Sequence, residues 1–353
     1  MKEIYLVSMF LIYITSLFMS NNKVKPRKVY KLTAIIVFIV LFTISGLRST
    51  ASIGDTYFYS HSYRLLVENP YLNISSKDYG FNIFMYLLTR FSSDPQILLI
   101  VTSFITNAYI ILTIYKHSKP FELGVFLYFG TVMFYITMNG IRQSMVAAIL
   151  FWASKYILKR DWKKYFPIVI ILSGFHSSAI IFLLIYFLCT REAWGREFWV
   201  TLGASLLLVI MFRPMLNVVV KAIESTSYSD YGKDMMTNTT SVNPIRVLVT
   251  LVPLVVAYMV KDKIKKSWPE GNMFIFMSLF NFIFMLFGTQ YLFFYRMCIY
   301  FDLYNLVLLP KLLDYYDKKT RAILYGSILI LYSIFCWYQI SGWDDYYRNI
   351  LFT

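Results

Sequence analysis

Charge is scarce in this sequence: 15% of its 353 residues are Asp, Glu, Lys or Arg, where soluble chains carry roughly 25%. That deficit argues against a water-soluble enzyme. Cysteine is scarcer still, and Cys189, Cys298 and Cys336 each sit in an apolar run. With no C-x-x-C and no Cys/His spacing, neither a disulfide framework nor a zinc site has the residues it needs. The glycine loops G-x-x-x-x-G-K-[ST] and G-x-G-x-x-G are absent, so nothing points to a nucleotide motor or a dinucleotide enzyme. No dense acidic cluster offers a cation pathway or a Mg²⁺ cage. Internal repeats, low-complexity tracts and linkers are missing too.

What is present is apolar. Hydrophobic residues make up 58% of the chain, and the mean hydropathy is +0.57. A membrane helix needs about 20 apolar residues, and the chain has runs for roughly 10–12 membrane helices, re-entrant and short ones included. The expected fold is an all-α, polytopic integral membrane protein. It forms one transmembrane domain over residues 1–353, with external loops at 48–79 and 217–246. The net charge of +15 would suggest nucleic acid in a soluble protein. Here the lysines cluster in short connections between apolar runs, the positive-inside signature of cytoplasmic loops, so no nucleic-acid partner is expected. The 31 Phe, 30 Tyr and 7 Trp suit two interfacial belts and a lined polar groove.

The basic connections fix the sides. Lys23 to Lys31 follows the first apolar run, whereas a signal peptide carries its charge in front. The first run is therefore read as a retained helix that ends inside. Lys155–Lys164, Lys261–Lys266 and Lys311–Arg321 mark further cytoplasmic loops, with a weaker one at Lys116 and Lys119. Parity then places both termini, 48–79 and 217–246 outside. Phe81 to Phe91 is too short to cross and reads as a re-entrant or interfacial helix. Residues 165–189 have both ends inside, which predicts a broken hairpin turning at Ser173-Gly174-Phe175-His176. Such a break is tolerated where backbone is buried in protein or lines a cavity. The alternative puts Thr190 to Glu197 outside, with another segment miscounted.

Against that frame, several ionisable residues fall on the side where arginine should be rare: Arg48, Asp55, Arg142, His176, Arg246 and Arg296. An ionisable group in a membrane segment is a functional-site hypothesis by default. Four arginines on one face point to a polyanion, most simply a phosphate or diphosphate, because the planar guanidinium grips phosphate with two N–H groups. Plainer readings stand beside these. Arg48 and Asp55 pair with each other in an outer loop, Arg142 snorkels to the interface, or His176 is a satisfied core histidine. Arg296 has no acid in sequence before Asp302, which lies on a different helix face.

The same residues resemble the EpsG-like family of Wzy-type bacterial polysaccharide polymerases. The matching pieces are Gly46-Leu47-Arg48 with Gly54-Asp55-Thr56, Tyr79-Gly80-Phe81, Gly140-Ile141-Arg142-Gln143-Ser144-Met145, Phe175-His176-Ser177-Ser178-Ala179 and Tyr295-Arg296. They span roughly residues 45–312. The resemblance implies a GT-C-like glycosyltransferase in the bacterial cytoplasmic (inner) membrane, multi-pass, with its active site facing outward. Donor and acceptor would be oligosaccharides linked to polyprenyl diphosphate. Membrane lipid and a chain-length regulator protein are the other implied partners.

The chemistry implied is glycosyl transfer. Arg142, Arg296, Arg48, Arg246 and Gln143 would bind the diphosphate as charge develops on it. Tyr228 and Tyr231, in the polar stretch 217–246, would stack on sugars. A base must take the proton of the acceptor hydroxyl. His176, with an ordinary pKa near ~6.5, is the first candidate, its neutral form favoured by the surrounding positive charge. Asp55 is the second, otherwise orienting Arg48 or the sugar. The chain lacks the Asp-x-Asp of metal-dependent transferases, so no metal and no cofactor is expected. An O-antigen-type ligase shares donor and fold. A membrane acyltransferase would place its His near a cytosolic channel. A non-enzymatic flippase for lipid-linked sugars would show two similar halves, and none is found.

Overall fold

The structure, a computed structural model, describes residues 2–20, 27–70, 78–223, 241–343 and 347–350. Tyr228 and Tyr231 lie outside them. Among the described residues the secondary structure is helical, save an isolated bridge between Arg48 and Asn349. Five helices are long and apolar enough to cross a membrane, or seven if two bent pairs each count as one span. The fold is an all-α polytopic membrane protein. Two compact units are distinguished, one formed by Met1–Tyr186 with Leu306–Thr353, the other by Phe187–Asn305.

The first unit begins with α1 (Lys2–Ser20), α2 (Arg27–Gly46), α3 (Thr56–Glu68) and α4 (Tyr79–Thr89). It continues with α5 (Gln96–His117), α6 (Phe121–Gly130), α7 (Met133–Asn139), α8 (Ile141–Leu158) and α9 (Trp162–Phe175). A 3-10 turn (Ser177–Ile181) leads into α10 (Phe182–Cys189). Helices α6 and α7 are together long and apolar enough for one span, and the pair is bent by 57° where Val132 takes a left-handed φ of 60°.

Stretch 48–79, expected as loop, contains the three-turn helix α3. Tyr63 explains why. Its ring is fully buried in a cluster with Phe81, Met85 and Leu88 of α4, Leu98 and Leu99 of α5, and Ile141 and Met145 of α8. Positions 81, 85 and 88 recur at helical spacing, so one face of α4 packs into the cluster shared with α3, α5 and α8. With 11 residues, α4 is about 17 Å long and cannot cross the ~30 Å hydrocarbon core.

The broken hairpin at 165–189 is present. Helix α9 has 14 residues, about 21 Å, and ends where His176 turns extended at φ −150°. The chain then returns. Tyr165 at the start of α9 stacks on Tyr186 near the end of α10, ring centroids 5.6 Å apart.

Near the chain's end, a 3-10 turn (Leu313–Tyr315) precedes the last long helix, Lys318–Ser341. That helix runs antiparallel to α1. Lys2 Nζ donates to Ser341 O at 2.6 Å, and the Tyr13 and Tyr325 hydroxyls meet at 3.0 Å. Beyond it, Ser49 N–H donates to Arg348 O at 2.8 Å. One end of the unit therefore gathers the start of α1, residues 47–55 and residues 347–350.

In the second unit, α11 (Arg196–Ile223) extends into the stretch expected as external loop. Its apolar stretch, Arg196–Leu216, is mostly unburied, with Phe198 and Val209 its buried side chains. In water that face would aggregate; against lipid it is at home. Then come α12 (Pro244–Met259), α13 (Lys261–Ser267) and α14 (Gly271–Gly288). A 3-10 turn (Leu292–Met297) leads to α15 (Cys298–Leu312), and the last helix, Lys318–Ser341, becomes α16. The three cysteines are free and buried.

Candidate functional site

In the first unit the candidate residues collect around the turn between α7 and α8. Asn139 ends α7, and its Oδ1 accepts the Asp55 backbone N–H at 2.8 Å. Gly54 makes this approach possible. It sits at φ +46°, and a Cβ there would lie 2.7 Å from Asn139 Cγ. Three residues past Asn139 comes Arg142, in the first turn of α8.

Arg48 differs from its expected state. The side chain is 1% exposed and donates to Ser45 O, to Met138 O at 2.7 Å and to Thr56 Oγ1 at 3.4 Å. Burial pushes its pKa down to about 10, which leaves it cationic at neutral pH. Among the described residues no ion pair joins it to Asp55, so the expected Arg48–Asp55 pair is corrected. Backbone carbonyls are its partners instead. Arg48 thus ties the end of α2 to the end of α7.

Arg142 has an acid after all, and it comes from far along the chain. Its Nη2 lies 3.2 Å from Asp78 Oδ2, with the Asp78 side chain 2% exposed and that of Arg142 29% exposed. Nε of Arg142 is buried without a hydrogen-bond partner among the described residues, and the guanidinium lies over the Phe81 ring at 5.8 Å. Gln143 is buried in the same turn, but helical geometry turns it about 100° away from Arg142.

Asp78 also reaches the hairpin break. Its Oδ1 accepts the Ser177 N–H at 2.6 Å, one of the donors that a helix start leaves without an internal partner. Its Oδ2 is 3.7 Å from His176 Nδ1. A carboxylate therefore faces His176, which corrects the expectation of purely positive surroundings. Contact between α4 and α9 fixes this meeting. A Cβ on Gly80 would sit 2.8 Å from the Gly174 carbonyl carbon and oxygen, and one on Gly174 3.3 Å from the Tyr79 ring. Only bare backbone allows the first turn of α4 so close to the break. Asp78 itself is held left-handed, at φ 63° and ψ 39°, a conformation that costs a non-glycine residue about 1–2 kcal/mol.

The other two arginines belong to the second unit, where the end of α14, the 3-10 turn and the start of α12 pack together. Val242 N–H donates to Gly288 O at 2.9 Å. Arg246, in the first turn of α12, stacks over the Tyr295 ring at 4.9 Å. Arg296 is the next residue along and is exposed. A third arginine joins them: Arg213 Nη2 donates to Gln290 O at 3.2 Å. Deeper between α14 and α15, Asp302 Oδ1 accepts from Asn281 at 3.0 Å and Asn305 at 3.2 Å. A cavity of about 360 Å³ in this unit, lined by Glu192, Trp194, Lys261 and Lys265 among others, contains none of the candidate residues.

Sequence reasoning missed Asp78, Arg213 and Asn139. Asp78 had a signal, since it directly precedes Tyr79-Gly80-Phe81. Among the described residues no three His, Cys, Asp or Glu side chains gather as metal ligands would.

These arrangements acquire a context from the family comparison. The model of the EpsG family matches residues 31–351, nearly the whole chain. The chain belongs to the EpsG family. Wzy-type polymerases are the known kind for this family, so the protein is a membrane protein of the polysaccharide-polymerase kind. The matched range includes Arg48, Asp78, Arg142, His176, Arg246 and Arg296. No curated protein and no solved structure matches the chain.

Proposed function

We propose that this EpsG-family protein is a GT-C-like glycosyltransferase that polymerises oligosaccharide repeat units carried on polyprenyl diphosphate, at the outer face of the bacterial cytoplasmic membrane. The observation that carries the reading is the meeting of Arg142, Asp78 and His176 at the break of the hairpin formed by α9 and α10. A cationic fork and a proton acceptor stand together where irregular backbone is tolerated only because it is buried or lines a cavity.

In this mechanism the acceptor hydroxyl oxygen attacks the anomeric carbon of the donor glycan. The bond from that carbon to the diphosphate oxygen breaks, and the lipid diphosphate leaves with the electron pair. The hydroxyl proton passes to His176. Arg142 offsets charge growing on the diphosphate, the type of contribution that is usually largest in a water-poor site. Arg246 and Arg296 remain candidates for diphosphate binding within their own unit. Arg48 ranks below Arg142 as a diphosphate ligand, because most of its N–H groups already serve protein oxygens. Asp55 is the reserve candidate for the base, and Tyr228 and Tyr231 remain candidates for sugar stacking.

The test is a gel of surface glycan from a strain lacking the gene. A lost polymerase leaves single repeat units on the carrier or anchor. Unattached long chains would identify a ligase instead, and a complete lack of exported units a flippase.

A further inference from the structure

Asp78 has no role in the reading so far beyond contact, yet its geometry is specific. We propose that Asp78 is the positioning residue of this centre: it fixes the His176 imidazole in the Nδ1–H tautomer, which makes Nε2 the proton-accepting nitrogen. This rests on the reading of His176 as the base.

The carboxylate cannot drift. Oδ1 is anchored on the N–H of Ser177, the residue immediately after His176. Oδ2 lies between Arg142 Nη2 at 3.2 Å and His176 Nδ1 at 3.7 Å. A ring nitrogen facing a carboxylate is best protonated, since its bare lone pair would meet negative charge. Which nitrogen carries the proton is set in this way by the partner of the other. The distance exceeds a hydrogen bond, as catalytic contacts without substrate often do before they tighten in the reacting complex. Among the described residues Arg142 from α8 is the other charged group at the carboxylate, and Tyr79 lies against the adjoining Gly174. The left-handed backbone of Asp78 fits this reading, because strained residues cluster where the surrounding structure must hold a functional group in place.

A merely structural Asp78 would cap the 3-10 turn and leave the tautomer of His176 unset, so the tautomer is the readout. The chain has three histidines, and ¹⁵N-histidine labelling of the full-length protein in lipid nanodiscs gives three ring systems to resolve. His176→Gln assigns one of them. Above its titration, His176 of the unsubstituted protein should show a protonated Nδ1 and a bare Nε2. Asp78→Asn keeps an oxygen for Ser177 and tolerates the left-handed backbone, but turns an amide N–H toward Nδ1. It should reverse the tautomer and lower the His176 titration by about one pH unit. An Nε2–H tautomer in the unsubstituted protein overturns the proposal. So does an Asp78→Asn protein with unchanged tautomer and titration. The first measurement needs no variant, so an Asp78→Asn protein that fails to fold still leaves the question decided. No substrate is involved either, so loss of this inference and loss of the polymerase reading are separate results.

Discussion

His176→Ala cuts turnover at least a hundredfold, with donor binding close to normal. The acceptor hydroxyl is a weak nucleophile, and a positioned base contributes about 10²–10⁴-fold to such a step. Alanine removes the proton acceptor but no group that grips diphosphate, so the loss falls on kcat rather than on donor affinity. Asp78 still holds the Ser177 N–H at the hairpin break, and Gly80 still lies on Gly174. Expression and detergent-extracted monodispersity should therefore hold. Steady-state turnover of a lipid-linked repeat unit checks it. Should Asp55→Asn show this pattern while His176→Ala retains turnover, Asp55 is the base.

The second large effect is at Arg142. Arg142→Lys should abolish most polymerisation while protein levels are maintained. Lysine keeps a positive charge opposite the 2%-exposed Asp78 side chain, so the buried acid is not stranded. What it loses is the planar fork that meets two phosphate oxygens at once. Arg142→Ala is the poorer probe, because breaking a buried pair by removing one partner costs about 3–5 kcal/mol, which confounds activity with folding. Arg48 provides the contrast. Replacing it by alanine removes the donor of Ser45 O and leaves Met138 O only the Thr56 hydroxyl at 3.5 Å, at about 1–3 kcal/mol for a buried orphan. That variant should fail in thermal stability first. Normal polymer from Arg142→Lys would make Arg142 an interface anchor.

The features legible in the sequence were those set by short-range patterns. Basic connections separated the apolar runs, and the Ser173-to-His176 break was one of two ways to resolve a parity conflict over 25 residues. Arg142 and His176 stood out because an ionisable group amid apolar residues needs a reason. Asp78 did not, since an acid before a helix is ordinarily read as its own cap. In the fold it caps a different element, Ser177–Ile181, almost a hundred residues on. That contact exists only because Gly80 and Gly174 let two helices touch, which no local pattern encodes. Arg48 misled for the reverse reason. Its sequence neighbours suggest a site, and its real partner, Met138 O, lies beyond four intervening helices, α3 to α6. Arg213 was hidden inside an apolar run, where Phe212-Arg213-Pro214 gives no hint of the Gln290 carbonyl it meets.

The central claim is that this chain joins lipid-linked repeat units by itself. The direct measurement uses purified full-length protein in liposomes and the single repeat units extracted on their carrier from the deletion strain. Product is resolved by gel. A ladder that grows by one repeat unit per step, with release of lipid diphosphate, and that disappears with His176→Ala and Arg142→Lys, is the predicted result. Unchanged single units with folded, unsubstituted protein, or a ladder that both variants make equally well, would contradict it.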